Sequence, residues 1–384
     1  MGRIRWRFRG IPKFLISSFK NRWNYIKTCL HSLTYNHHMN ASYASDVLME
    51  PVFWFVDNYT YLLGPFFVVG VAILTSAVVY ISYWIGLPFW WERSQNFSIA
   101  IVIVGNWLLV NVIFHYVMAV ITPAGNPPED SVLVESVSMC KKCIAPKPPR
   151  AHHCSVCRKC VLKMDHHCPW LNNCVGYANH RYFFLYMVYT TIGCLFIIIL
   201  GLEIGYKYLW LEQEESWSEV EPLLGQPVKF NLSGHIIPVT HISEYDDSID
   251  GLRPAQHILP TPPPSTANGL SKRRAVIFMA FINVAVVIAL GSLTIWHAKL
   301  VTNGETSIES HINQSERKRF LKENKIYVNP YDFGTKKNWK LFLGLVRGRS
   351  FWKNVLLPSI HKPEGNGLAF HTVKDEFLLH DEWP

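Results

Sequence analysis

Residues 182–202 read YFFLYMVYTTIGCLFIIILGL, a stretch with no Asp, Glu, Lys or Arg. A hydrocarbon core of about 30 Å requires about 20 apolar residues in a helix, so this run is long enough to cross a bilayer. Working outward, the gaps Asp57 to Glu92, Arg93 to Glu129 and Arg274 to Lys299 are equally free of charge. The expected cores are 62–87, 98–121, 182–202 and 275–298. Trp84, Trp90, Trp91, Tyr182 and Trp296 gather near their ends, where amphipathic rings suit the membrane interface. Four buried helices of a soluble core are the competing reading, but such helices seldom run this long without a charge. Composition agrees with membrane spans: of 384 residues, 49% are hydrophobic and only 17% charged, which excludes a disordered chain.

Orientation follows from the connections. Lys and Arg outnumber Asp and Glu by 8 to 3 in residues 1–61, 8 to 4 in 122–181, and 14 to 10 in 299–384. The short link 88–97 is balanced at 1 to 1, and the long loop 203–274 is acidic at 6 to 10. The positive-inside rule therefore places 1–61, 122–181 and 299–384 in the cytosol and 203–274 in the lumen or outside the cell. In the N-terminal arm, Phe14, Phe19, Trp23, Ile26 and Leu30 can line one side of a helix among eight basic residues. This predicts an amphipathic segment on an anionic leaflet, with an unstructured arm or a targeting peptide as alternatives. The 203–274 loop, acidic from Glu212 to Glu221 and proline-rich from Pro260 to Pro264, is expected to be partly disordered, with a lumenal glycosylation sequon at Asn231. Asn313 begins a sequon on the cytosolic side and should stay unmodified.

Just before the third span lie seven of the nine cysteines, from Cys140 to Cys174, together with His152, His153, His166 and His167. In a reducing cytosol such a cluster favours zinc over disulfides. Structural Zn²⁺ takes four N or S ligands, so two closed sites consume eight of these eleven groups and leave a surplus. Spacing does not say which cysteine is spare, but Cys168 has the most suggestive neighbours. Asp165 and His166 precede it and can serve as orienting carboxylate and general base for an activated thiol. Cys168 as a zinc ligand or as an inert buried thiol remains open on spacing alone.

Asp165-His166-His167-Cys168, within a Cys-rich segment between the second and third of four spans, resembles the DHHC protein S-acyltransferases. Cys168-Pro169-Trp170 and Asn172-Asn173-Cys174 extend the likeness. The resemblance implies one zinc on Cys140, Cys143, His153 and Cys160, a second on Cys154, Cys157, His167 and Cys174, and Cys168 as acyl carrier served by His166 and Asp165. It also implies palmitoyl-CoA as donor, cytosol-facing and membrane proteins as acceptors, and residence in the endoplasmic reticulum or Golgi membrane. Association with itself or with other acyltransferases is a further implication. Trp170, Phe183 and Gly193 are the candidates for lining the acyl chain, with close helix packing the competing role for Gly193. Lys141, Lys142, Lys147, Arg150, Lys163 and Arg181 are available for CoA phosphates.

Other motifs match unevenly. The family's Asp-Pro-Gly after the second span is here Thr122-Pro123-Ala124-Gly125, and its Thr-Thr-x-Glu after the fourth is Thr306-Ser307-Ile308-Glu309. Asn329-Pro330-Tyr331, Gly334 and Asn338-Trp339 resemble the tail motif that packs the cytosolic domain against the membrane, with Asn338 tying tail to domain. Glu305 to Glu309, taken with the basic arm, points to one subgroup of the family. The expectation is thus an all-α polytopic membrane protein: four transmembrane helices with a cytosolic two-zinc domain between spans 2 and 3. A membrane-anchored zinc-ribbon scaffold or ubiquitin-ligase-like adaptor would use the same ligands without a free thiol. A transporter is disfavoured because the spans hold no charges, with Asn106, His115 and His297 read as packing groups. No nucleic-acid partner is expected, since Lys336, Lys337 and Lys340 among Trp339, Phe342 and Leu343 read as interfacial docking.

Overall fold

The computed structural model describes residues 13–35, 41–128, 137–211, 228–230, 236–238 and 267–375. The spans are helical throughout. Helix α1 (Lys13–Tyr35) is followed by α2 (Ala41–Ile81), which passes through a π-helical segment (Ser82–Gly86) into α3 (Leu87–Arg93). Helix α4 (Gln95–Ile121) follows, then α5 (His180–Tyr206) with its own π segment (Lys207–Leu211), and α6 (Ala267–Thr302). Four stretches are long and apolar enough to cross a membrane: Leu62–Arg93, Gln95–Ile121, His180–Leu209 and Gly269–Thr302. Three of them outrun the charge-free windows, because their helices run on to Arg93 or continue past Glu203, Arg274 and Lys299, whose long side chains can reach the interface. No more than 33% of any span's most apolar window is buried. Phe66, Ile103, Ile199, Phe281 and Ile295 stand exposed, a distribution suited to lipid and costly in water.

The chain divides into two compact units, one of residues 1–71, 120–180 and 365–371, the other of 72–119, 181–364 and 372–384. In the first, α1 bears out a helix over the basic arm from residue 13 onward. Trp23 and Leu30 lie exposed on it, and Arg22 donates to the Tyr59 hydroxyl at 3.1 Å. Residues 1–12 of the arm fall outside the described residues, as do the acidic and proline-rich stretches of the 203–274 loop and Asn231.

The expectation of an all-α chain holds for the spans and misses the Cys-rich segment. That segment is three antiparallel hairpins of three-residue strands: β1 (Ser138–Cys140) with β2 (Ala145–Lys147), β3 (His152–Cys154) with β4 (Lys159–Val161), and β5 (His166–Cys168) with β6 (Asn173–Val175). Strands this short carry no readable alternation. A further hairpin pairs β7 (Val228–Phe230) with β8 (Ile236–Pro238).

In the second unit, the end of α6 organises the tail. Gly304 turns at φ +67°, where an added Cβ would meet the Tyr331 carbonyl oxygen at 2.3 Å. Thr306 then starts α7 (Ser307–Lys322) with a capping box: Glu309 N–H donates to Thr306 Oγ1 at 3.3 Å, and Thr306 N–H donates to Glu309 at 2.9 Å. This is the physical reason for Thr306-x-x-Glu309. Asn313 is buried, bonded to Glu305 and Tyr327, and so poorly placed to carry a glycan. Helix α8 (Thr335–Leu343) is tied back by Asn338, which donates to the Thr302 carbonyl at 2.8 Å; the tail motif thus grips the end of the fourth span. A four-residue helix α9 (Phe351–Asn354) follows.

Candidate active site and metal centres

The hairpins explain how eight ligands become two sites. In the second hairpin His153 pairs with Cys160 across the strands, and in the third His167 pairs with Cys174. Such cross-strand pairs bring side chains together on one face. Cys140 and Cys143 flank the turn of the first hairpin, and Cys154 and Cys157 that of the second. One turn and the next hairpin's cross-strand pair together make each quartet. The ligating atoms of Cys140, Cys143, His153 and Cys160 lie within 4.8 Å of one another, as do those of Cys154, Cys157, His167 and Cys174.

The donors fit zinc. A tetrahedron with Zn–S of about 2.3 Å has edges of roughly 3.8 Å. Here Cys143 and Cys160 sulfurs are 3.8 Å apart, those of Cys157 and Cys174 are 3.4 Å apart, and His153 and His167 Nδ1 lie 3.2 and 3.4 Å from Cys143 and Cys157 Sγ. Backbone N–H groups of Cys143 and Cys157 donate to Cys140 and Cys154 Sγ at 3.4 and 3.3 Å, favouring thiolate at each knuckle.

The same register shows why Cys168 stays outside. Cys140, Cys154 and Cys168 each end the first strand of a hairpin, opposite Ala145, Lys159 and Asn173. Three residues on stand Cys143, Cys157 and then Leu171. The left-handed residues that close the turns are Ile144 (φ 52°), Arg158 (φ 55°) and Asn172 (φ 48°). The three hairpins are therefore copies of one knuckle with a fourteen-residue period. In the third copy the second cysteine is replaced by Leu171, 1% exposed and packed into the interior. Cys168 occupies a knuckle position without the second knuckle ligand.

It is served instead by its own strand. Asp165, 1% exposed, accepts from His166 Nδ1 at 2.6 Å. With that nitrogen committed, Nε2 is left for the side-chain hydrogen bond that His166 makes to Cys168. Burial works against a charge on the imidazole, but the hydrogen bonds and negative charges of Asp165 and Cys168 outweigh it and raise His166 to about 9. The ring is well suited to take a proton from the thiol and hold it. The His166 side chain keeps 32% of its surface open, whereas Asp165 is sealed. On Asp165's other oxygen, His180 Nε2 stands 4.0 Å away.

The loop carrying Cys168 is held firmly. Asn173 Nδ2 donates to the carbonyls of Val120 and Thr122 at 3.1 and 2.8 Å, and Asn179 Nδ2 to those of Cys174 and Thr122 at 2.8 and 3.2 Å. In Thr122-Pro123-Ala124-Gly125 the contacts run through backbone: the carbonyls of Ala124 and Gly125 accept from Ala178 and Leu162 N–H groups. Trp170 packs on Phe67 at 4.8 Å between ring centroids. Gly64, one turn before Phe67, lets Asn172 approach so closely that an added Cβ would sit 2.1 Å from Asn172 Oδ1. Gly64, Phe67, Leu171 and His180 escape a reading by ligand spacing, although the fourteen-residue period was a usable signal.

The other named residues divide. Phe183 is buried, edge-on to His297 at 5.3 Å. A Cβ added at Gly193 meets nothing within 4 Å, so close helix packing does not require this glycine. Of the basic candidates, Arg181 is committed to tail carbonyls and Arg150 lies over the Phe370 ring at 5.2 Å, while Lys141 and Lys142 are exposed. Asn106 bonds the Tyr83 hydroxyl at 2.7 Å, and His115 stacks on Tyr189 at 5.6 Å, both as packing groups.

Comparison with known proteins agrees with this architecture. The pattern of the DHHC palmitoyltransferases matches residues 134–314. The chain is 41% identical over 349 residues to palmitoyltransferase ZDHHC16A of Danio rerio, covering 90% of this chain and 88% of the relative. It belongs to the DHHC palmitoyltransferase family. ZDHHC16 of Homo sapiens is 39% identical over 361 residues, covering 93% and 88% of the two chains. A more distant relative, probable protein S-acyltransferase 12 of Arabidopsis thaliana, is 26% identical over 336 residues, covering 79% and 93%. The subgroup read from residues 305–309 and the basic arm is the one these vertebrate relatives represent.

Proposed function

We infer that the chain is a protein S-palmitoyltransferase that works by two acyl transfers through Cys168. The observation that carries this reading is the line Asp165–His166–Cys168, standing outside both metal quartets. Asp165 holds the His166 tautomer, and His166 takes the Cys168 proton. The Cys168 thiolate attacks the acyl-CoA carbonyl; the C–S bond to CoA breaks, and His166 returns its proton to the departing CoA thiolate. In the second half His166 deprotonates the acceptor cysteine, whose sulfur attacks the acyl-enzyme and releases Cys168. Zinc, when bound by the two quartets, is structural, because all four positions of each are protein donors and the folded hairpins fix the strand that bears Cys168.

The charge balance supports placing the Cys-rich segment and both flanking arms on the cytosolic side, and cytosol-facing membrane proteins as acceptors. Residence in the endoplasmic reticulum or Golgi rests on the family resemblance. Trp170, Phe183 and Gly193 are assigned to the acyl chain, whose burial gains about 0.8 kcal/mol per CH₂. The open space at Gly193 supports room for a long chain. A scaffold or adaptor is disfavoured because it has no use for a thiol with its own base. Incubating purified protein with a clickable palmitoyl-CoA should give an adduct that hydroxylamine removes, absent in Cys168→Ser; equal labelling of both proteins would overturn the assignment.

A further inference from the structure

Residues 354–361, Asn-Val-Leu-Leu-Pro-Ser-Ile-His, lie in a tail that charge counting assigns wholly to the cytosol. Their backbone carbonyls are nonetheless gripped by side chains of two membrane spans. Trp107 Nε1 and Asn111 Nδ2, one turn apart on α4, both donate to the Leu356 carbonyl, at 2.9 and 3.3 Å. The Tyr189 hydroxyl on α5 donates to Val355 O at 2.6 Å, and Arg181 reaches Ser359 O at 2.7 Å and the carbonyls of Asn354 and His361 at 3.4 Å.

The positions of these donors fix how deep the tail goes. Asn111 precedes the end of α4 at Ile121 by ten residues and Trp107 by fourteen, about 15 and 21 Å at 1.5 Å per residue. Tyr189 lies nine residues inside α5, about 14 Å by the same rise. Those depths reach the middle of a hydrocarbon core about 30 Å thick. Non-helical backbone survives there only where protein satisfies its polar groups, and the four side chains do so for the carbonyls of Asn354, Val355, Leu356, Ser359 and His361. Pro358 removes one N–H that would need a partner. The side chains complete the pattern. Val355 is buried, whereas Phe351, Trp352, Leu357 and Ile360 are exposed and apolar or interfacial in type, and the exposed Lys353 has a stem long enough to carry its charge to the headgroups.

We propose that residues 351–361 form a re-entrant strap that enters the hydrocarbon core, with carbonyls turned inward to Trp107, Asn111, Tyr189 and Arg181 and with Leu357 and Ile360 facing lipid chains. The tail is then an integral part of the membrane bundle, and its partner is the acyl region of the bilayer. The proposal is independent of the catalytic assignment.

The test uses the full chain in phosphatidylcholine nanodiscs containing a lipid with a diazirine at mid-chain. Photolysis should attach lipid to the peptide bearing Leu357 and Ile360 as it does to the spans. Labelled spans with an unlabelled 351–361 peptide would overturn the strap, and so would labelling only by a headgroup-placed diazirine. In the same discs, hydrogen exchange of amides 355–361 should be slow in the wild type and at least tenfold faster in Trp107→Phe/Asn111→Leu, the Cys-rich hairpins being unchanged. Equal exchange in both proteins would show that these donors do not hold the segment.

Discussion

The second and third hairpins share strand length, register and the left-handed residue that closes the turn, yet they end in opposite chemistry. Cys154 faces Cys157 three residues on and joins a closed quartet. Cys168 has Leu171 at the equivalent position and is left with His166 and Asp165. One side-chain change in a repeated knuckle separates a sulfur held in a quartet from one left outside both. On the proposed mechanism, the difference teaches that reactivity comes from an incomplete site on a scaffold that its neighbours hold in place. Hairpin three still contributes His167 and Cys174 to the second quartet, so zinc bound there would fix the strand that bears Cys168.

The comparison can be broken from either side. Cys154→Ser should have the largest effect: structural zinc in small domains is worth roughly 10–16 kcal/mol, so metal analysis should find one ion fewer and the Tm should fall steeply, with activity lost. Asp165→Asn leaves both quartets and the hairpin intact but removes the acceptor that sets the His166 tautomer. Acyl-enzyme formation should slow by about 10²–10⁴-fold in a rapid-quench assay, with zinc content unchanged. Leu171→Cys restores the missing knuckle ligand. Excess zinc should then inhibit self-acylation of this variant several-fold and leave the wild type unaffected. Gly64→Ala pushes on Asn172 at the third turn from its amide down to its Cβ, 2.8 Å from the added carbon, so the turn must shift and acylation should fall several-fold. Chain length is a separate axis: Gly193→Tyr should shift preference to shorter acyl-CoAs in a competition assay, while Gly193→Ala, entering open space, should not.

The spans were legible because hydrocarbon thickness imposes a length that runs such as residues 182–202 satisfy with no charge. The Cys-rich segment was legible as chemistry and not as shape. Eleven soft ligands announced metal, but three-residue strands lie below any periodicity, and spacing left the spare cysteine open, Cys168 being singled out by its neighbours Asp165 and His166 and then by family resemblance. The register supplies the physical reason, and the spacing of Cys140, Cys154 and Cys168 already held it. Gly64 and Phe67 lie far from the hairpins in sequence, so nothing local marks them as partners of Asn172 and Trp170. The strap was hidden for the opposite reason. Charge counting averages over the whole tail, and a short segment such as Val355–Ser359 carries too few residues to register as membrane-seeking when its carbonyls are satisfied by side chains 160 or more positions away.

The zinc content of purified Cys168→Ser, read by native mass spectrometry beside the wild type, tests the central claim most directly. If Cys168 is the vacated knuckle position, both proteins carry two zinc ions and melt at the same temperature. A Cys168→Ser protein that has lost a zinc ion would make Cys168 a ligand and contradict the account.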